Sequence, residues 1–206
     1  AWPDPNPGGL PRAFYQRATA IVARDLVGRM LVSRVGGEEV RGRINEVEAY
    51  LGPRDRACHT WKGRRTARVE SMYGDAGCAY VYLIYGLHRC LNVVTVGGGA
   101  GEAVLIRGIR IEGGLETARQ RRGRCEAPDR LADGPGKLTQ ALGVGLEHDG
   151  LDLTHRCGPL WIAGERQLLR GAIQQTPRIG IPNAGRAAHW KLRWADVSPQ
   201  SPRRGS

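Results

Sequence analysis

From Val40 to Tyr50 the chain alternates with the period of a β-strand, which predicts that Val40, Ile44, Glu46, Glu48 and Tyr50 share one face. Met30 to Val35 and Val40 to Tyr50 form a predicted hairpin through Gly36-Gly37, and Ala79–Ile84 and Cys90–Val96 form another around Tyr85-Gly86. Gly97-Gly98-Gly99 then turns the chain into a strand over Ala103–Ile111. Phe14, Ala18, Ile21, Val22 and Leu26 recur at helical spacing, and Gly28 suits the position after that helix. A short helix is expected over Leu115–Arg122, its basic end favoured by the helix dipole, and another runs from Asp133 or Gly134 to Gly143. Residues 54–77 form a polar, arginine-rich loop. No repeat, heptad array or linker divides the chain, so the pattern predicts one domain over 13–197, between a loose proline-rich arm (1–12) and a disordered tail (198–206).

Charge narrows the class. The net charge of +11 comes almost wholly from arginine, because only Lys62, Lys137 and Lys191 are lysines. A surface this basic points to a polyanionic partner, nucleic acid first, and arginine's planar fork suits phosphate. The five cysteines (Cys58, Cys78, Cys90, Cys125, Cys157) are odd in number and lack metal-ligand spacing. They predict free thiols in a reducing compartment, and with no apolar run or secretory segment the expectation is a soluble intracellular protein, cytoplasmic or nucleoid-associated if bacterial and nuclear if eukaryotic.

The candidate chemistry lies on strand faces. A carboxylate on an apolar face, such as Glu48, is costly unless paired or used, so it is either a member of a structural ion pair or a candidate acid or base. Arg107 falls in phase with Leu105, Ile109 and Ile111 and needs an anionic partner, for which Glu46 or Glu48 is available. Asn92 repeats the theme beside Val94. Together with His59 and the rings of Tyr50 and Tyr82 these groups describe a site for a flat heterocycle, on a basic protein a nucleobase drawn out of the helix. A carboxylate there could activate water against the sugar carbon. Tyr85, at a hairpin tip before Gly86, either wedges between bases or folds back on its own sheet. Lys137, at a glycine-flanked helix start, is an anion contact or part of ordinary capping. Two other classes fit less of the pattern. Glu46 and Glu48 could hold a divalent metal in a nuclease, and the basic surface could serve a binding module without catalysis.

Seven stretches occur in an order that resembles the alkyladenine (3-methyladenine) DNA glycosylase family. They are Glu46-Val-Glu-Ala-Tyr-Leu-Gly-Pro53 with His59, Tyr80-Val-Tyr-Leu-Ile-Tyr-Gly86, Cys90-Leu-Asn92, Val104-Leu-Ile-Arg107, Glu112-Gly-Gly-Leu-Glu116, Gly134-Pro-Gly-Lys-Leu138 and Arg178-Ile-Gly180. The resemblance implies a compact α+β domain with a curved antiparallel sheet flanked by helices and a hairpin that enters the DNA minor groove. It implies a monomeric enzyme that flips alkylated or deaminated purines (3-methyladenine, 7-methylguanine, hypoxanthine, ethenoadenine) from duplex DNA and hydrolyses the glycosidic bond, with no lyase step, metal or other cofactor. Glu48 would be the general base, held with help from Arg107. Tyr50, His59, Tyr82 and Asn92 would line the base pocket. Tyr85 would fill the gap in the duplex, flanked by Leu87 and His88, and Lys137 would meet the DNA backbone. His88 and Cys58 depart from the familiar pattern, at the groove and the pocket wall respectively.

Overall fold

The computed structural model describes residues 8–167 and 173–196, so the first seven residues of the expected arm and the expected tail lie outside the described residues. Eight strands form one open sheet in which every pairing is antiparallel. They are β1 (Arg29–Ser33), β2 (Val40–Tyr50), β3 (Ala79–Ile84), β4 (His88–Thr95), β5 (Glu102–Gly113), β6 (Leu160–Arg166), β7 (Ile173–Thr176) and β8 (Arg193–Asp196). The order runs β3-β4-β5-β2-β1-β6, with β8 also on β2 and β7 on β8. Helices α2 (Thr19–Leu26), α3 (Leu115–Arg122) and α4 (Pro135–Leu142) bury Val22, Leu26, Ala118, Leu138 and Leu142 in the core cluster with one face of the sheet. The other face is covered by the 52–73 segment, whose Cys58, Val69 and Met72 pack with Tyr80, Val94 and Ala103. The expected α+β class and both hairpins are present.

The β2–β5 ladder slips once between Arg41 and Gly42, where Glu112 is unopposed, and then twice in close succession. Ile44 pairs with Ile109 and Glu46 with Gly108, which leaves Asn45 unopposed; Val47 then pairs with Ile106, which leaves Arg107 unopposed. One bulge on each strand reverses the phase of both, because side chains alternate with period two. Val40 and Ile44 hand over to Val47 and Ala49 on the core face, and Ile111 and Ile109 hand over to Ile106 and Val104. The expectation that Glu46, Glu48 and Tyr50 share a face with Val40 and Ile44 is therefore wrong, as is the grouping of Arg107 with Ile109 and Ile111. The polar groups face away from the main core. Gly108 sits at the crossing point, where a Cβ would lie 2.7 Å from Asn45 Oδ1 and would make that side chain shift. At the same place β2 changes neighbour: Val40–Arg43 pair with β1 and Glu46–Glu48 with β8.

Other departures have local causes. The single N-terminal helix is two, α1 (Arg12–Tyr15) and α2, with Ala18 extended between them (φ −52°, ψ 132°). The Tyr15 carbonyl instead accepts the Val96 N–H at 2.9 Å, so it is used outside a helix. The arm is shorter than expected, since Leu10 is buried and its N–H donates to Ile162 O at 2.9 Å. Strands β7 and β8 went unpredicted because they are short, and Ile-Gln-Gln-Thr and Arg-Trp-Ala-Asp carry almost no periodic signal; the seven-residue β6 was missed as well. All five cysteines are free. Among the described residues no helix is long and apolar enough to cross a membrane.

Ile106 is fully buried just beyond the double bulge. Ile106→Ala is expected to destabilise the fold by about 2–5 kcal/mol in urea denaturation, through lost burial and the cavity left behind.

Candidate active site

The phase reversal delivers Glu48, Tyr50, Leu105 and Arg107 to the sheet face opposite the helices, where β3 and β4 add Tyr80, Tyr82, Cys90 and Asn92. All of them but Glu48, which is bonded to the lining residues Tyr50 and Ile179, line with His59 and the 179–181 segment a cavity of about 280 Å³. From Arg107 in its wall an alternating chain of charge runs away beneath the lining. Arg193 Nε and Arg107 Nε both donate to Glu46 Oε1, at 2.6 and 2.8 Å, and Arg107 Nη1 lies 3.5 Å from Glu48 Oε1. Sequence reading left Arg107 a choice between Glu46 and Glu48, and it takes both. Burial opposes the Arg107 charge, but Glu48 and Glu46 outweigh it and hold the guanidinium's pKa above its ordinary value.

Glu48 exposes no side-chain surface. Its Oε1 accepts the Ile179 N–H at 2.8 Å, and its Oε2 accepts the Tyr50 hydroxyl at 2.9 Å. A carboxylate with these donors is fixed in place and kept as an acceptor. Tyr50 carries the Arg178 guanidinium over its ring at 4.7 Å from the centroid. Burial pushes the Tyr50, Tyr80 and Tyr82 hydroxyls well above their usual range, so they stay protonated donors.

The opposite wall is aromatic. Tyr80 and Tyr82 stack at 5.3 Å between centroids, and His59 meets Tyr82 edge-on at 4.6 Å. His59 Nδ1 and the Tyr80 hydroxyl lie 2.8 Å apart. Burial, helped by Arg68 and Arg64, lowers the His59 pKa below 6.5, so the imidazole is neutral at neutral pH. Asn92 is buried, and its Nδ2 donates to the Tyr80 carbonyl at 3.0 Å, which fixes the orientation of the amide.

The β3–β4 hairpin rises beside the cavity. Tyr85 is 89% exposed and Leu87 70%, with His88 also exposed. Tyr85 (φ +54°) and Gly86 (φ +69°) are both left-handed, and the Leu87 N–H returns to Ile84 O at 3.2 Å. A bulky aromatic held left-handed costs about 1–2 kcal/mol, and here it projects a ring into solvent instead of back onto the sheet. The start of α4 abuts this hairpin. Pro135 lines the cavity, and a Cβ on Gly136 would come within 3.0 Å of His88 Cβ. Lys137 reaches Asp133 Oδ1 at 2.7 Å and Arg130 O at 3.2 Å, so its ammonium is already paired.

The structure thus lines one cavity with Arg107, Tyr50, His59, Tyr82, Asn92 and Tyr85, ties Glu48 to three of the lining residues from behind, and leaves Leu87, His88 and Lys137 outside the lining. Sequence reading assigned no site role to Arg193, Asp55, Ile179, Cys90 or Tyr80, although Tyr80 binds His59 and lines the cavity. Arg178-Ile-Gly180 was visible as a motif, but a backbone N–H aimed at Glu48 leaves no trace in residue identity.

Residues 13–198 match the family model described as methylpurine-DNA glycosylase. A relative from Methanoculleus marisnigri named "Putative 3-methyladenine DNA glycosylase" is 51% identical over 180 residues, covering 85% of this chain and 90% of its own. Proteins of the same name are 47% identical over 191 residues in Herpetosiphon aurantiacus (91% of this chain, 86% of its own) and 41% over 186 residues in Bdellovibrio bacteriovorus (90% and 93%). On a match that spans the whole cavity and its supporting strands, this chain belongs to the methylpurine-DNA glycosylase family of DNA repair enzymes.

Proposed function

We propose that the protein takes damaged purines out of duplex DNA into this cavity and hydrolyses their N-glycosidic bond with water activated by Glu48. The reading rests on one observation above all: a buried carboxylate, fixed by an arginine, a backbone N–H and a tyrosine hydroxyl, at the edge of an aromatic cavity sized for a single flat ring system. As the bond from C1′ to the base nitrogen breaks, the base keeps the electron pair and positive charge gathers on the sugar. The Glu48 carboxylate stabilises that charge and accepts the proton of the attacking water. Glu48 exposes no side-chain surface in the free protein, so the attacking water reaches it as the base enters the cavity.

Purines alkylated at N3 or N7, such as 3-methyladenine and 7-methylguanine, carry a positive charge and leave as neutral bases without acid catalysis. Neutral hypoxanthine and ethenoadenine demand more help. His59 is held neutral, which makes it a hydrogen-bonding reader of the base and a poor acid. Tyr50 stacks on the flipped base opposite the Tyr82–His59 wall, and the fixed Asn92 amide acts as a steric stop against the exocyclic amine of guanine. Tyr85 replaces the departed base in the stack, with Leu87 and His88 in the minor groove and Lys137, exchanging Asp133 for phosphate, on the backbone. The enzyme works as a monomer on double-stranded DNA and stops at the abasic site, because no lysine lies in the cavity to form a Schiff base. A metal-dependent nuclease is disfavoured by the same geometry: the lone pairs of Glu46 and Glu48 that would bind a cation face Arg107 and Arg193.

The test is base release from a duplex with one hypoxanthine and from alkylated DNA, in EDTA. Strand breaks should appear only after alkali, and Glu48→Gln should lower the rate by about 10²-fold or more. Breaks without alkali, or loss of activity in EDTA, would sink the assignment. Tyr85→Ala should weaken binding to the lesion duplex by about 1–3 kcal/mol, read by fluorescence anisotropy, through lost stacking. By NMR, the His59 ring should titrate below 6.5. The folded state then refuses a proton that the unfolded chain accepts, so this residue's contribution to stability is present above pH 6.5 and is lost as the pH falls through its folded value.

A further inference from the structure

Directly behind the cavity lies an ion pair with no part in the chemistry described above. Arg178 and Asp55 expose no side-chain surface at all, so neither can touch DNA or base. Four donors converge on the Asp55 carboxylate. Its Oδ1 accepts the Ala57 N–H at 3.0 Å and Arg178 Nη2 at 2.9 Å, and its Oδ2 accepts the Leu51 N–H at 3.0 Å and Arg178 Nη1. Arg178 in turn donates to Ala49 O at 2.9 Å and Ala187 O at 3.2 Å. The pair therefore joins three segments that carry cavity residues: the end of β2 with Glu48 and Tyr50, the turn leading to Cys58 and His59, and the 178–181 segment.

Buried ion pairs are weak sources of stability, because desolvation offsets most of the attraction. This one also leaves Arg178 Nε buried without an acceptor. What it gains is geometry. Arg178 covers one face of Tyr50, and the very next residue, Ile179, supplies the N–H that holds Glu48 Oε1. A single side chain thus sets both the ring expected to stack on the base and the donor that aims the carboxylate.

We propose that Asp55 and Arg178 are positioning residues for catalysis, which fix Glu48 and Tyr50 in register with one another and govern the rate of bond cleavage without contributing to DNA affinity. The proposal rests on the glycosylase reading above. Asp55→Asn keeps the shape but replaces one acceptor oxygen by a donor facing two other donors, so the 178–181 segment and the turn at 55–57 lose their common anchor.

The experiment is single-turnover release of hypoxanthine with enzyme in excess. Competent enzyme is counted by stoichiometric titration with a duplex carrying a tetrahydrofuran abasic analogue. Per competent enzyme, Asp55→Asn should cleave about 10–100-fold more slowly, as for displacements of an ångström or less at a reacting centre. Its affinity for the analogue duplex should be unchanged. Arg178→Lys keeps the charge but loses the fork; it should shift the rate in the same direction and serves if Asp55→Asn does not fold. Rates equal to wild type, or rate and affinity falling together, would reduce the pair to a structural brace and overturn the proposal alone. A wild type that releases no base from hypoxanthine or alkylated DNA would overturn the function, and the proposal with it.

Discussion

The double slip between β2 and β5 is the constraint on which the rest depends. Without it the alternation of β2 would turn Glu46 and Glu48 into the main core with Val40 and Ile44, and two carboxylates would be stranded among aliphatic side chains at a cost of several kcal/mol each. With one extra residue on each strand, both strands reverse phase together and the ladder survives. Carboxylates and Arg107 then emerge on the face where the 52–73 segment and β8 can meet them. β8 brings Arg193, and the change of neighbour on β2 at that point makes room for it.

Charge around and behind the cavity wall is paired: Arg193 and Arg107 with Glu46 and Glu48, and Arg178 with Asp55. Removing one member of the Arg178–Asp55 pair would leave its partner buried and uncompensated, which costs more than the pair contributes. Attraction to DNA is supplied elsewhere, by the surface that carries the net charge of +11. The protein separates long-range binding from local chemistry, and the exposed Tyr85 hairpin stands between the two.

Much of this was legible in the residues. The strands of both hairpins followed from periodicity and the class of fold from the family resemblance, while Glu48, Tyr50, Tyr82, Asn92 and Arg107 were singled out as polar groups and rings recurring on predicted strands, with His59 in the loop beside them. Periodicity failed where it must, at Asn45 and Arg107, because a bulge changes the phase without changing composition. It was silent on β7 and β8, which are too short to show a period, and so Arg193 was missed. Ile179 acts through its backbone and Asp55 through contacts distant in sequence; neither property is written in a residue's own neighbourhood.

The central claim is that Glu48 sits within reach of a water beside a flipped base. The most direct measurement is a crystal structure of the protein with a duplex carrying 2′-fluoro-2′-deoxyinosine, whose fluorine destabilises the charged sugar and slows cleavage. The account predicts hypoxanthine stacked between Tyr50 and the Tyr82–His59 wall, Tyr85 in the gap left in the duplex, and a water between Glu48 and C1′. A base still paired in the helix, or a Glu48 still sealed from water with the base in place, would contradict it.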